Sequence, residues 1–550
     1  MRRPPLQTLI ACLALMTLPA VAQDTGTDAQ ATRAALVSLV KTLLDQNVLT
    51  PAKARELLRQ AGLDPALLEA PPAAAAAPPA PATPPVRVPY VPEAVKRELR
   101  DEIRQEVIAT ARAERWAVPE ALPAWLGRFS FGGDLRLRGQ REDFADDNAV
   151  PAVLDTFYQS LSSTGQATTR NTTEDRGRLR WRARLGVGVA LADDWRAQLR
   201  LVTSAGGDAN DPASTNVDAG QAGRRYGAGF DLANLSWSLG PYSASVGRIG
   251  NPYQTTDLLW SNDLTLDGLA ASWRPVAGYE LQGFVTAGVH PLREVNASST
   301  SRAGDSWLYA VQAGGQWRPQ PAWSVRAGLG LFEFHRVESR LNPAGAGDGS
   351  NTEFNDSAPL VRSRGNTMFN IAAQSNPTGG PVWGLASKFR VVDVNAAVEY
   401  TTPQQWRVFA QADWLQNVGY DAAEIRERLG VAADALPGDR ACAAGSARLD
   451  CERTRGMRVE FGVGHGPVDE AGTWALAAGV RELQRDAVPD GWTTGDYRGG
   501  GTDVRAGFAS LQWGWARNVS STLRYVNARS IDLPVTYRIG TWQLDLNARF

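Results

Sequence analysis

Seven arginines carry the chemistry that can be read first: Arg136, Arg138, Arg180, Arg182, Arg184, Arg196 and Arg200. In Arg178-Leu179-Arg180-Trp181-Arg182-Ala183-Arg184-Leu185-Gly186-Val187-Gly188-Val189 charged and apolar residues alternate with period two before the run becomes Gly and Val. That period belongs to a β-strand with one wet face and one apolar face. Guanidinium groups stay charged and donate from a rigid fork, so a row of them concentrates anions or grips carboxylates. Catalysis has far less support. A hydrolase needs a nucleophile, a base and an orienting carboxylate together. The three histidines, His290, His335 and His465, have no nucleophile motif beside them. The sequence therefore predicts no enzyme, no cofactor and no metal site.

Energy decides which way the arginines point. An arginine facing lipid costs roughly 2 to 4 kcal/mol near the midplane and about 0 to 1 near the interface. Arg178, Arg180, Arg182 and Arg184 cannot all bear that cost, so Leu179, Trp181, Ala183, Leu185, Val187 and Val189 take the lipid side. The neighbouring segments repeat the choice. Arg136 and Arg138 oppose Phe131, Leu135 and Leu137 in phase, and Arg196 and Arg200 oppose Trp195, Leu199 and Leu201. The expectation is a basic inner wall over three adjacent strands. Two roles stay open: pairing with acids to stiffen the wall, and concentrating anions where the lumen is narrowest.

The elements that must hold this wall run to the end of the chain. In the last strand, Trp542, Leu544, Leu546, Ala548 and Phe550 are apolar at every second position. Alternating segments are expected at 128–138, 178–190, 195–204, 230–239, 242–249, 264–273, 279–289 and 306–317. Eight more follow at 323–334, 387–400, 404–415, 457–465, 473–483, 504–515, 520–528 and 540–550. Short and long connections alternate between them, with long ones at 139–177, 205–229, 250–263, 290–305, 335–386, 416–456, 484–503 and 529–539. Aromatics bracket the short turns: Trp273 and Tyr279, Trp317 and Trp323, Tyr400 and Trp406. The reading is an all-β transmembrane barrel of about sixteen antiparallel strands over residues 128–550, with short turns in the periplasm and long loops outside. This orientation puts the C-terminus and the segment before the barrel in the periplasm.

Composition agrees. There are 57 basic and 58 acidic residues and 43% apolar ones, a balance that offers no case for nucleic acid. A barrel wall need not look hydrophobic, because half of each strand faces water.

Ahead of the barrel four regions are expected. Residues 1–22, with Arg2, Arg3, an apolar run and Ala20-Val21-Ala22, read as a signal peptide for export. Residues 23–70 read as a small helical hairpin, with Thr50 as cap and Pro51 as first helical residue. Residues 71–92 are a Pro/Ala-rich spacer. In 93–127 a charged helix spaces Val95, Leu99, Ile103 and Val107 by four, which suits either a solvated helix or a short coiled coil. After the signal no apolar run is long enough to span a bilayer as a helix. Of the three cysteines, Cys12 leaves with the signal. Cys442 and Cys451, with eight residues between them, are expected to form a disulfide in an exported protein.

Certain segments add a resemblance. Arg248-Ile249-Gly250-Asn251-Pro252-Tyr253, Thr256-Asp257-Leu258-Leu259-Trp260 and Asp263-Leu264 are similar to the putative-porin family of Gram-negative bacteria, with support from Pro381-Val382-Trp383-Gly384-Leu385-Ala386. The terminal strand resembles the assembly signal of outer-membrane proteins, which implies the barrel-assembly machinery as a partner. The resemblance implies an outer-membrane porin, embedded in lipid and trimeric, that passes small hydrophilic solutes by diffusion; the arginine wall adds an expected arginine lining and, under the second of its two roles, a preference for anions. In sixteen-stranded porins the third external loop commonly folds inward. Here Asp257 and Asp263 are the candidate constriction residues, and both an inward fold and a compact external turn stay open. The alternative function is an envelope tether that binds cell wall or a partner protein through the helices before the barrel. Deleting residues 23–116 separates the two: a tether loses its envelope phenotype, whereas a channel keeps its conductance.

Overall fold

The computed structural model describes residues 124–160, 168–203, 214–220, 222–223, 225–278, 280–345, 347, 349–429 and 453–550. The expected signal peptide, hairpin and spacer lie outside them, as does the charged-helix region up to residue 123, while Ala124–Arg128 form a short 3-10 helix; Tyr279, Cys442 and Cys451 also lie outside.

Sixteen long strands follow the period-two segments. They are β1 Phe129–Phe144, β2 Arg176–Ala190, β3 Trp195–Thr203, β4 Ala228–Leu239, β5 Tyr242–Gly250, β6 Thr265–Trp273, β7 Leu281–Arg293 and β8 Ser306–Trp317. The ring continues with β9 Trp323–His335, β10 Phe389–Thr401, β11 Arg407–Asn417, β12 Arg455–Gly464, β13 Trp474–Leu483, β14 Val504–Ala516, β15 Val519–Ser530 and β16 Arg538–Arg549. Each pairs antiparallel with its successor. β16 pairs with β1, with Leu546 opposite Leu137 and Asp545 opposite Arg138, so the ring closes. Closure satisfies every strand edge, which a wall in hydrocarbon requires.

The chain end is part of the seam. The Gly133 amide donates to the Phe550 carbonyl at 2.9 Å, and the Phe550 amide donates to the Gly133 carbonyl at 3.1 Å. The Phe550 ring occupies the space that a side chain at position 133 would need, so the close approach requires glycine there.

Alternate residues make the outer face apolar. Phe131, Leu135, Leu179, Leu185, Leu199, Leu269, Val285, Leu329, Phe461, Leu476, Leu511, Leu523 and Leu544 are all exposed. A continuous belt of this kind is expected against lipid and not against water. Aromatics gather at the end with seven connections. Tyr242 stands opposite Trp273, Trp323 and Tyr400 hold ring centres 4.8 Å apart, and those of Trp406 and Trp474 lie 5.5 Å apart.

At the other end the inward residues are apolar too. Phe332, Phe334, Val391, Leu415, Leu483, Val504 and Val526 form one buried cluster with residues of three connections. Tyr253, Leu258, Leu259 and Trp260 come from the connection 251–264, Met368 and Leu385 from 336–388, and Val488 and Tyr497 from 484–503. The last two connections are tied together. The Thr502 amide donates to the Arg364 carbonyl at 2.9 Å, and the Asn366 side chain donates to the carbonyls of Arg485 at 2.7 Å and Val488 at 2.9 Å. Gly365 and Gly501 have φ of +119° and +93°, which an L side chain would strain at this crossing.

Candidate functional site

The connection 251–264 crosses the ring. Its Gln254 amide accepts no detour along the wall: it donates to the Gln312 side chain on β8 at 2.7 Å, and the Gln254 side chain donates to Asn395 on β10, also at 2.7 Å. Thr256 donates to Asp413 on β11 at 2.5 Å. Asp257 reaches Arg458 on β12 at 2.8 Å and Arg524 on β15 at 3.9 Å. Asp263 then meets Arg182 of β2 at 3.1 Å. A segment rooted between β5 and β6 can touch all these strands only through the interior, so the inward course is the observed one.

The root of this connection is fixed by a histidine. His290, expected at the start of an external loop, instead sits buried within β7. Its Nδ1 lies 2.9 Å from the Asp267 carbonyl and its Nε2 lies 2.9 Å from the Tyr253 hydroxyl. Donation from Nδ1 leaves Nε2 to accept from Tyr253, which positions the loop and leaves the ring no nucleophile to serve.

Asp263 is the hub for the arginines of β1 and β2. It pairs with Arg184 and Arg182, lies 4.0 Å from Arg136, and accepts from the Thr215 hydroxyl at 3.0 Å. Burial alone would raise its pKa, but Arg184, Arg182, Arg136 and Thr215 outweigh burial and hold the carboxyl below its usual range. Asp134 shares the load, 2.6 Å from Arg182.

The other candidates find separate partners. Arg138 is buried between Asp545 at 2.7 Å and Asp496 at 2.9 Å, which makes it a member of the seam with β16. Arg180 meets Asp218 at 2.9 Å, where residues 217–218 pair beside β2 above the end of β3. Arg200 holds Asp231 of β4 through two parallel bonds of 2.8 and 2.7 Å. Arg196 is exposed and has no ion pair among the described residues.

Asp257 turns away from β1–β3, to a second basic group that sequence reasoning passed over. Besides Arg458 and Arg524, Arg481 lies fully buried with its guanidinium 4.5 Å from the Tyr497 ring centre and 3.4 Å from the Asp257 carbonyl. The Tyr497 hydroxyl donates to Asp257 at 2.9 Å. Asp496 bridges the two groups, 2.8 Å from Arg524 and 2.9 Å from Arg138. Burial would raise the Asp496 carboxyl too, yet Arg138, Arg524 and the Gln543 amide hold it low. The phase rule used for β2 would have found Arg458 and Arg524, since each alternates with exposed residues such as Met457, Phe461 and Leu523.

A closed sixteen-strand ring with an apolar outer belt and a charged loop across its interior defines a porin-like outer-membrane channel. The chain belongs to the family described as Putative porin, whose sequence profile matches residues 33–550. Porin families are generally non-enzymatic. The outer membrane channel DcaP of Acinetobacter baumannii is similar at 10% identity, over 77% of this chain and 97% of that one, with a TM-score of 0.37. OprB of Pseudomonas putida, at high pH, is similar at 10% identity, over 78% and 95%, with a TM-score of 0.44. OmpF of Salmonella typhi, in complex with daunomycin, is similar at 9% identity, over 77% and 97%, with a TM-score of 0.36. No curated protein matches the sequence.

Proposed function

We propose that the chain forms a passive diffusion pore for small hydrophilic solutes, narrowed by residues 251–264 and lined on one side by arginines of β1–β3. The observation that carries this reading is the single connection that meets Arg182 and Arg184 through Asp263 and Arg458 through Asp257. Arg136, Arg182 and Arg184 share two carboxylates, Asp134 and Asp263, so this wall keeps a surplus of positive charge. Arg196 adds to it. Low-dielectric walls focus such a field, and small anions then enter somewhat more readily than cations. The preference is modest, because most of the guanidinium charge is answered by acids.

Single-channel recording in planar bilayers with asymmetric salt tests the reading. Steady ohmic current with a reversal potential displaced toward the anion is the expected result. Absence of conductance, together with loss of an envelope phenotype when residues 23–116 are deleted, favours the tether instead.

The proposed orientation places the connections 336–388 and 418–454 outside the cell, and the C-terminus in the periplasm. Epitope tags in those two connections are expected to be reached by antibody on intact cells, and tags at the turns 318–322 and 402–406 are not. The reverse pattern overturns the orientation. Trimers and delivery by the barrel-assembly machinery through β16 follow from the family resemblance.

A further inference from the structure

Three arginines stand side by side on the outer face of the barrel. Arg505 of β14 is directly opposite Arg529 of β15, and Arg529 is directly opposite Arg538 of β16. Their neighbours Val504, Ala506, Ala528 and Ile539 are buried on the inside, whereas Leu511, Leu523 and Trp542, in phase with the arginines, are exposed on the belt. The row therefore faces the membrane side, at the end of the strands that carries the eight long connections.

Like charges directly opposite one another destabilise a sheet. Here the carboxylates that could offset them are few. Glu482, opposite Arg505, lies 2.6 Å from it. Among the described residues Arg538 has only Asp147, at 3.9 Å, and both side chains are more than half exposed. Arg529 has no ion pair among the described residues. Beside the row is a recess of about 340 Å³ whose lining includes Met457, Val480, Glu482, Arg505, Gly507 and Arg529. A side chain at position 507 would meet nothing within 4 Å, so the wall is open there.

We propose that this row binds the phosphate groups of the phosphorylated glycolipid of the outer leaflet. Planar guanidiniums match phosphate oxygens in pairs, a bridging phosphate removes the repulsion between Arg505 and Arg529, and the lipid chains continue down the apolar belt past Gly507. At the membrane interface cations are tolerated on the lipid face, which is where phosphates lie. The choice of leaflet rests on the orientation proposed above.

The test uses the full-length protein in detergent, with bisphosphorylated lipid A as probe and native mass spectrometry as readout. The variant Arg505→Ser/Arg529→Ser/Arg538→Ser is expected to retain the lipid on the order of a hundredfold more weakly, from roughly fivefold per arginine at a membrane surface. Arg529→Ser alone shows part of that loss. Enzymatically dephosphorylated lipid binds the wild type as weakly as the triple variant binds the phosphorylated form. Arg390→Ser, which removes a cation paired with Glu333 elsewhere on the wall, leaves retention unchanged and controls for folding. Equal retention by the triple variant overturns the proposal, and so does displacement of the lipid by millimolar inorganic phosphate, which would mark a site for free anions. Labelling of Arg529→Cys on intact cells by an impermeant maleimide reads the orientation separately. If it is not labelled, the outer-leaflet assignment falls, even where dependence on the phosphate persists.

Discussion

Asp263→Asn is expected to displace the reversal potential toward anions, and Arg182→Ala with Arg184→Ala to displace it toward cations. The opposite signs follow from one cluster. Neutralising Asp263 leaves Arg182 and Arg184 with Asp134, whereas removing both arginines strips Asp134 of its two partners and leaves Asp263 with Arg136 at 4.0 Å. Breaking a buried pair from one side costs roughly 3 to 5 kcal/mol, because a charge stays desolvated without its partner. The side chains here are 12 to 16% exposed, which puts the expected loss at the lower end of that range. It is read as earlier heat-induced unfolding on unboiled gels.

The pH dependence carries a definite sign. Asp263 is held below the unfolded aspartate value of about 3.9, so its contribution to stability is fully present above that value and is lost as pH falls through the lower folded pKa. Asp263 therefore adds no drift to the reversal potential between pH 7 and pH 5, and shifts it toward anions only in stronger acid. Identical reversal potentials in wild type and both variants would make the arginines structural partners of the acids and remove the selectivity argument.

The strands were legible because lipid enforces the alternation of Leu179, Trp181 and Ala183 against Arg180, Arg182 and Arg184. Where the constraint lapses, the reading falls short. β1 runs on to Phe144 through Gly139-Gln140-Arg141-Glu142, since pairing with β16 continues beyond the apolar belt and the outer face there need not be apolar. β7 continues through Pro291 to Arg293, and proline is tolerated because the pairing with β8 shifts register at Ser306/Trp307.

The interior was less legible. Leu329-Gly330-Leu331-Phe332-Glu333-Phe334 shows apolar residues on both faces, and only the contact of Phe332 and Phe334 with three inward connections explains it. Asp257 and Asp263 were legible as acids on one loop. Their assignment to separate arginine groups, on β1–β2 and on β12–β15, was not, because it depends on which strands the loop meets after it leaves β5.

Trp260→Ala is expected to enlarge the single-channel conductance and weaken selectivity while the barrel still folds. The indole is 1% exposed. Its ring centre lies 5.2 Å from that of Phe332 and 6.1 Å from that of Tyr253, and the next residue, Ser261, donates its amide to the Trp492 carbonyl at 2.7 Å. The side chain thus keys the middle of the connection to β9 and to the connection 484–503. Truncating a buried tryptophan costs roughly 3 to 5 kcal/mol. The ring of strands does not depend on that packing, for its ladders are complete without the loop, so the loss falls on the loop itself. With its middle released, residues 251–264 stay tethered at Asp257 and Asp263, and current through the pore becomes larger and noisier. Trp260→Phe, which keeps most of the apolar contact, is expected to lie close to wild type, and Leu511→Ala on the outer belt to leave conductance unchanged. If Trp260→Ala folds and conducts as the wild type does, the connection 251–264 does not set the bore of the pore. The acids it carries would then act only as braces between the two basic walls.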